Sequence, residues 1–163
     1  MRFIILVALG LFAAACSSSG DNAGGSAATA VKNAVSGPAA GSQAHLEQVA
    51  GSDRVFFDFN QNSLSDAAQS QVQRWAGWML ANPNANILVE GHADERGTRD
   101  YNLALGARRS HAVKSALEAL GVSGSRVETT TFGKERPAVE GHNEAAWWQN
   151  RRAVVVVKAG ASS

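Results

Sequence analysis

Two hydrophobic periods alternate along the chain after residue 42, and that alternation restricts the fold more than any other feature. Residues 54–59, "RVFFDF", are aromatic and β-branched and read as a strand. Residues 65–81 then place Ala68, Val72, Trp75, Ala76 and Met79 on one helical face, with Ser65 as N-cap and Pro83 just past the end. "NILVEG" (86–91) is a short apolar strand, and 100–120 is a second helix stopped by Gly121. "RVETTTFG" (126–133) is a strand with alternation, and "NEAAWWQN" (143–150) is a short helix. "RRAVVVVK" (151–158) is the last strand, whose four valines predict burial on both faces. The order is therefore βαβαβ(α)β. Two crossovers predict partly parallel pairing, in one α/β or α+β domain with helices packed on a mixed four-stranded sheet.

The first 42 residues build none of this. "MRFIILVALGLFAAAC" has a basic Arg2, an apolar run and then small residues before Cys16, the pattern of a secretory signal over residues 1–15. The apolar run is shorter than the roughly 20 residues a spanning helix needs. Cys16 is the sole cysteine, so no intramolecular disulfide forms. "AAAC" followed by "SSSG" resembles a bacterial lipobox, with Ala13 where such signals favour Leu. That resemblance implies cleavage before Cys16 and its acylation into membrane lipid. Ser17, rather than Asp, implies passage to the outer membrane. Residues 16–42 are mostly Ser, Gly and Ala with no aromatic side chain and no apolar period, and read as a flexible tether. Residues 17–42 have a relaxed reach of roughly 25–30 Å and approach about 85–90 Å when taut. The folded domain is expected over 43–163. Lys and Arg number 15 against 14 Asp and Glu, a balance that gives no basic face for nucleic acid.

One residue of the second helix breaks its pattern. Leu105, Ala112, Val113, Ala116, Leu117 and Leu120 share a face, and Arg109 falls in the middle of it, with Asn102 nearby. A guanidinium does not escape burial by losing its proton, so Arg109 needs an anion, best a carboxylate held bidentately. The anion is either internal (Asp94, Glu90 or Asp58, fixing a loop) or the carboxylate of a ligand.

The loop "EGHADERGT" (90–98) ends a strand and leads into this helix, the place where ligands sit in open α/β sheets. His92 and Asp94 would supply two metal ligands, but His45, His111 and His142 have no ligand spacing to them, so no metal or other cofactor is expected. Asp94 and Glu95 as an acid–base pair would point apart, and no nucleophile motif accompanies them, so no catalytic residue is assigned. Glu95, Arg96 and Arg99 read as a solvated turn. Asp94 with Arg109 makes one anion and one cation, able to hold a zwitterion.

"EGHADERGTRDYNLALGARRSHAV" resembles the signature of OmpA-like peptidoglycan-binding domains, at Asp94, Gly97, Asn102, Leu105, Arg109 and Val113. Gly106 stands where many members carry Ser. Over residues 54–157, "HADERGT", "FGKERPAVEGHNEAA" and "NRRAV" are similar to the peptidoglycan-associated lipoprotein branch, in which Trp147 and Trp148 are less typical. The resemblance implies a non-catalytic grip on meso-diaminopimelate in peptidoglycan stems. In it, Asp94 takes the ammonium and Arg109 a carboxylate. Asp58, Phe59 and Asn60 add contacts, some through backbone, and Asn102, Leu105 and Arg152 support the pocket. It further implies a lipid anchor at the periplasmic face of the outer membrane. It implies membership of the Tol–Pal system, with TolB and other Tol proteins as partners near Trp147 and Trp148, and a part in envelope constriction at division. A wall-binding lipoprotein outside that system is the alternative.

Overall fold

The computed structural model describes residues 37–158; the signal, Cys16 and most of the tether lie outside them. Nine elements follow in order. They are α1 (Gln43–Ala50), β1 (Arg54–Phe56), α2 (Asp66–Ala81), β2 (Asn86–His92), α3 (Arg99–Ala119), a 3-10 turn (Gly124–Arg126), β3 (Val127–Gly133), α4 (Glu144–Asn150) and β4 (Arg152–Lys158). The sheet order is β1-β4-β2-β3, with β4 antiparallel to both its neighbours and β2 parallel to β3. This is the mixed, four-stranded α+β architecture expected from the βαβαβ(α)β order. The last strand inserts between the first two, so only the β2–β3 crossover yields a parallel pair.

Each long helix has its start written locally. The Ser65 hydroxyl accepts from the Ala68 N–H, and the Thr98 hydroxyl from the Tyr101 N–H. The α2 face Ala68, Val72, Trp75, Ala76 and Met79 is wholly buried, and Leu105, Val113 and Leu117 of α3 join the interior. Leu120, expected on that face, lies past the helix end and is 39% exposed. Helix α1 has no counterpart in the sequence reading. Its eight residues bury only Leu46 and Ala50, too few to show a period, and it is held by its ends. Ser42 caps it, Gly51 closes it at φ 80°, and Gln71 donates to the Ala50 and Ser52 carbonyls.

The valine run is a correction. Val155 is buried and Val157 packs on the core, but Val154 is only half-buried and Val156 is 36% exposed. Ile87, Val89, Val127, Ala153 and Val155 face α2 and α3, and among the described residues no long helix covers the opposite face. Strand β4 has antiparallel partners on both sides, so its run of valines reflects a central position in a sheet covered on one side. The same sidedness positions the site. A Cβ on Gly91 of β2 would overlap the Gly106 carbonyl of α3, and one on Gly106 would overlap the Thr131 hydroxyl. The helix thus lies directly on strand backbone at Gly91, one turn before Arg109. That contact is the physical reason for glycine at 106.

Candidate functional site

The end of β1, the β2–α3 loop and the first half of α3 enclose a pocket of about 230 Å3. Phe59, Asn60, Asp94, Arg96, Gly97, Tyr101, Asn102, Leu105, Arg109 and Arg151 line it. Local chemistry shapes the loop. Gly97 sits at φ 89°, and the buried Asn102 amide donates to the Arg96 carbonyl at 2.8 Å, closing the turn onto α3. Asn60 takes φ 58°, and its side-chain oxygen accepts from the Tyr101 hydroxyl, which joins the β1 loop to the helix.

Arg109 is wholly buried. Its Nε donates to the Gln61 carbonyl at 2.8 Å, Nη1 to the His92 carbonyl at 2.8 Å and Nη2 to the Asp58 carbonyl at 3.2 Å. The Phe57 ring lies 5.1 Å from its guanidinium carbon. Three carbonyl oxygens therefore hold it, and no carboxylate bonds to it among the described residues. Two of its five N–H groups are left over. Burial lowers its pKa to about 10, with Asp94 opposing that shift and Arg151 adding to it. The group stays a cation at neutral pH.

Asp94 is 5% exposed and is bound elsewhere. It accepts from the Arg96 N–H at 3.1 Å, from Arg96 Nη2 at 2.6 Å and from Arg151 Nη1 at 3.4 Å. Burial pushes its carboxyl up, but the Arg96 and Arg151 contacts outweigh burial and hold it below the ordinary range. The internal Asp94–Arg109 pair considered from sequence is absent; Arg96 and Arg151 take its place. Three arginines thus surround one buried carboxylate, with the exposed Glu144 on Arg151 as the other anion. The pocket carries surplus positive charge and favours a ligand carboxylate.

The other sequence candidates separate cleanly. Phe59, Asn60, Asn102 and Leu105 line the pocket. Asp58 reaches it only through its carbonyl on Arg109, and its carboxylate side is exposed at a neighbouring cleft. Arg152 does not support the pocket. It pairs with Phe56 across the strands on the uncovered face, donating to the Asn150 and Arg136 carbonyls. Arg151, one residue earlier, points to the pocket because successive strand residues face opposite ways. The pair "RR" was the available signal: one of two adjacent arginines at a strand start had to face each side. Arg96, read as part of a solvated turn, instead lies between the Phe59 and Trp147 rings, 4.2 and 4.0 Å from their centroids. Only tertiary structure brings those rings together. Glu95 turns outward, accepting from Trp147 Nε1 at 2.8 Å and meeting His142 at 2.7 Å, so it diverges from Asp94. His92 packs on Phe132 on the uncovered face, and no group of three potential metal-ligating His, Cys, Asp or Glu side chains converges among the described residues.

Comparison with known proteins places this architecture. A family model described as the OmpA family matches residues 56–151. The peptidoglycan-associated lipoprotein of Agrobacterium fabrum is 51% identical over 105 residues, covering 64% of this chain and 59% of that relative's length. That of Haemophilus influenzae is 41% identical over 142 residues, covering 87% of this chain and 88% of the relative. The crystal structure of the peptidoglycan-associated lipoprotein from Burkholderia pseudomallei superposes with a TM-score of 0.65 at 44% identity, covering 66% of this chain and 92% of that one. Sequence and fold agree, and the chain belongs to the OmpA family, a family of non-enzymatic domains.

Proposed function

We propose that the pocket grips meso-diaminopimelate in the peptide stems of peptidoglycan, without catalysis, and that the protein ties a membrane to the wall. The observation that carries this reading is Arg109: a buried, charged guanidinium at a pocket wall, held by carbonyls alone, with N–H groups to spare. Those N–H groups take the side-chain carboxylate of diaminopimelate, and Asp94 takes the ammonium on the same carbon. Lysine has the ammonium but lacks this carboxylate and leaves Arg109 without an anion. A site built around a polar group rejects strongly an analogue without it. Phe59 and Asn60 form the outer wall, and Asn102 and Leu105 hold the floor. The family match and the names of the relatives support the same reading.

The finer role is part of this proposal. Acylated Cys16 anchors the chain in the outer membrane at its periplasmic face, and the segment 17–42 spans to the wall. Individually weak stem contacts then add through effective concentration along a polymer. The protein acts in the Tol–Pal system with TolB and supports constriction at division; a wall-binding lipoprotein outside that system is the alternative, and capture of purified TolB separates them.

The test is sedimentation of the full chain, in detergent, with diaminopimelate-type and lysine-type peptidoglycan. Co-sedimentation with the first only, lost in folded Asp94→Asn and Arg109→Lys variants, is expected. Equal binding to both polymers, or variants that bind as wild type, would overturn the proposal.

A further inference from the structure

A second cleft, of about 330 Å3, opens at the free edge of β1. It shares a loop with the first: Phe57 and Asp58 line it, whereas Phe59 and Asn60 line the Asp94–Arg109 pocket. One wall is aromatic. The rings of Phe56 and Trp148 have centroids 4.0 Å apart at 52°, and Trp148 remains 46% exposed. Its indole N–H donates to no described protein group, unlike that of Trp147, which is bound to Glu95.

The rim is polar, and its charges balance in sign. Arg54 is paired with Asp53 through Nε at 2.7 Å and Nη2 at 3.0 Å. Arg74 donates to the Ala50 carbonyl and to Gln71. Asp58 is exposed at the mouth, and Ser63 adds a hydroxyl. Arg74 meets only neutral partners and stays a cation at the rim, offset by the exposed Asp58 at the mouth, and an apolar ligand would strand these polar groups. An open aromatic face beside polar donors and one acceptor carboxylate suits a pyranose, which presents a C–H face to a ring and hydroxyl or acetamido groups at its edge.

We propose that this cleft is a second wall-binding subsite, taking an N-acetylated sugar of the glycan strand with Trp148 as its stacking platform. The proposal rests on the stem reading of the first pocket and extends it. Two stem residues separate diaminopimelate from the sugar, an extended span of roughly 7–10 Å. The two stretches of loop lining the clefts are two residues apart, about 7–8 Å along the backbone. The spacing of these loop residues is of the same order as the span of the stem.

The test uses the full chain in detergent and two probes: glycan chains stripped of their stems, and a soluble diaminopimelate stem tripeptide. NMR follows the Trp148 indole N–H and the sugar protons. Stem-free glycan is expected to shift that N–H and show saturation transfer. Trp148→Ala, and separately Ala67→Trp, which fills the cleft from α2, are expected to weaken glycan binding about fivefold to tenfold. Both variants leave tripeptide affinity unchanged. Tripeptide binding without any glycan binding, or glycan binding unaltered in both variants, overturns the sugar subsite and leaves the stem reading intact. Glycan binding without tripeptide binding overturns the stem reading and keeps the cleft as a sugar site.

Discussion

The two faces of the sheet treat buried polar groups in opposite ways. On the helix-covered side, Arg109 and Asp94 lie deep and are held on several sides: three carbonyls bind the one, two arginines the other. On the uncovered side, both ring nitrogens of His92 and the Nε of Arg152 are buried without a hydrogen-bond partner. Gly91 and His92 are neighbours in sequence, as are Arg151 and Arg152, and each pair divides between the faces. The difference teaches where precision is concentrated. The covered face fixes charge to within hydrogen-bond distance, which a zwitterion pocket requires. The other face leaves His92 buried without a hydrogen bond, which shows up as sensitivity to pH.

The largest expected effect comes from breaking the close approach that defines the covered face. Gly91→Val sets side-chain atoms into the Gly106 carbonyl and forces α3 off the sheet. Thermal unfolding should show a loss of about 4 kcal/mol or more, or no folded protein. A variant that melts within a few degrees of wild type would mean that the helix has room to move.

Arg109→Lys follows. Lysine keeps the charge but not the fork, and the Gln61, His92 and Asp58 carbonyls lose donors. Denaturant unfolding should register a loss of about 2–3 kcal/mol. Binding to diaminopimelate-type wall should fall further than stability alone explains, since the bidentate grip is gone.

His92 sharpens the contrast from the other face. Burial, with Arg152 and Arg136 nearby, lowers its pKa from 6.5 to about 4. Between those values the unfolded chain takes up a proton that the folded chain refuses, so stability falls as pH drops from about 6.5 towards 4. A loss of about 3 kcal/mol across that window is expected from the size of the shift. His92→Phe should remove this component from the pH profile of unfolding, and a profile unchanged by the substitution would exclude His92 as its source. The smallest effect is at Val156, where Val156→Thr on the half-open face should change stability by less than about 0.5 kcal/mol. A loss of several kcal/mol there would restore burial on both faces.

Much of this was legible beforehand for local reasons. The helix faces, the cap at Ser65 and the loop carrying Asp94 rest on spacing within a few residues, which a sequence displays directly. Arg109 stood out because a lone cation interrupts an otherwise apolar helical stripe. Helix α1 was hidden because eight residues held by their ends carry no period. Arg151 was hidden behind Arg152 because a strand's phase is invisible until its partners set it, and a one-residue change of phase exchanges the faces.

By itself, then, the sequence determined the helices and strands from β1 onward, which loop holds the acidic residue and which helical position holds the buried cation. Each follows from short-range periodicity and capping. Tertiary structure alone decided that β4 runs between β1 and β2, that Arg151 joins Arg96 on Asp94 where Arg109 was a candidate, and that His92 is buried without a hydrogen bond. Those outcomes depend on strand register and on contacts between residues more than fifty positions apart, and only a folded sheet brings such residues within hydrogen-bond reach.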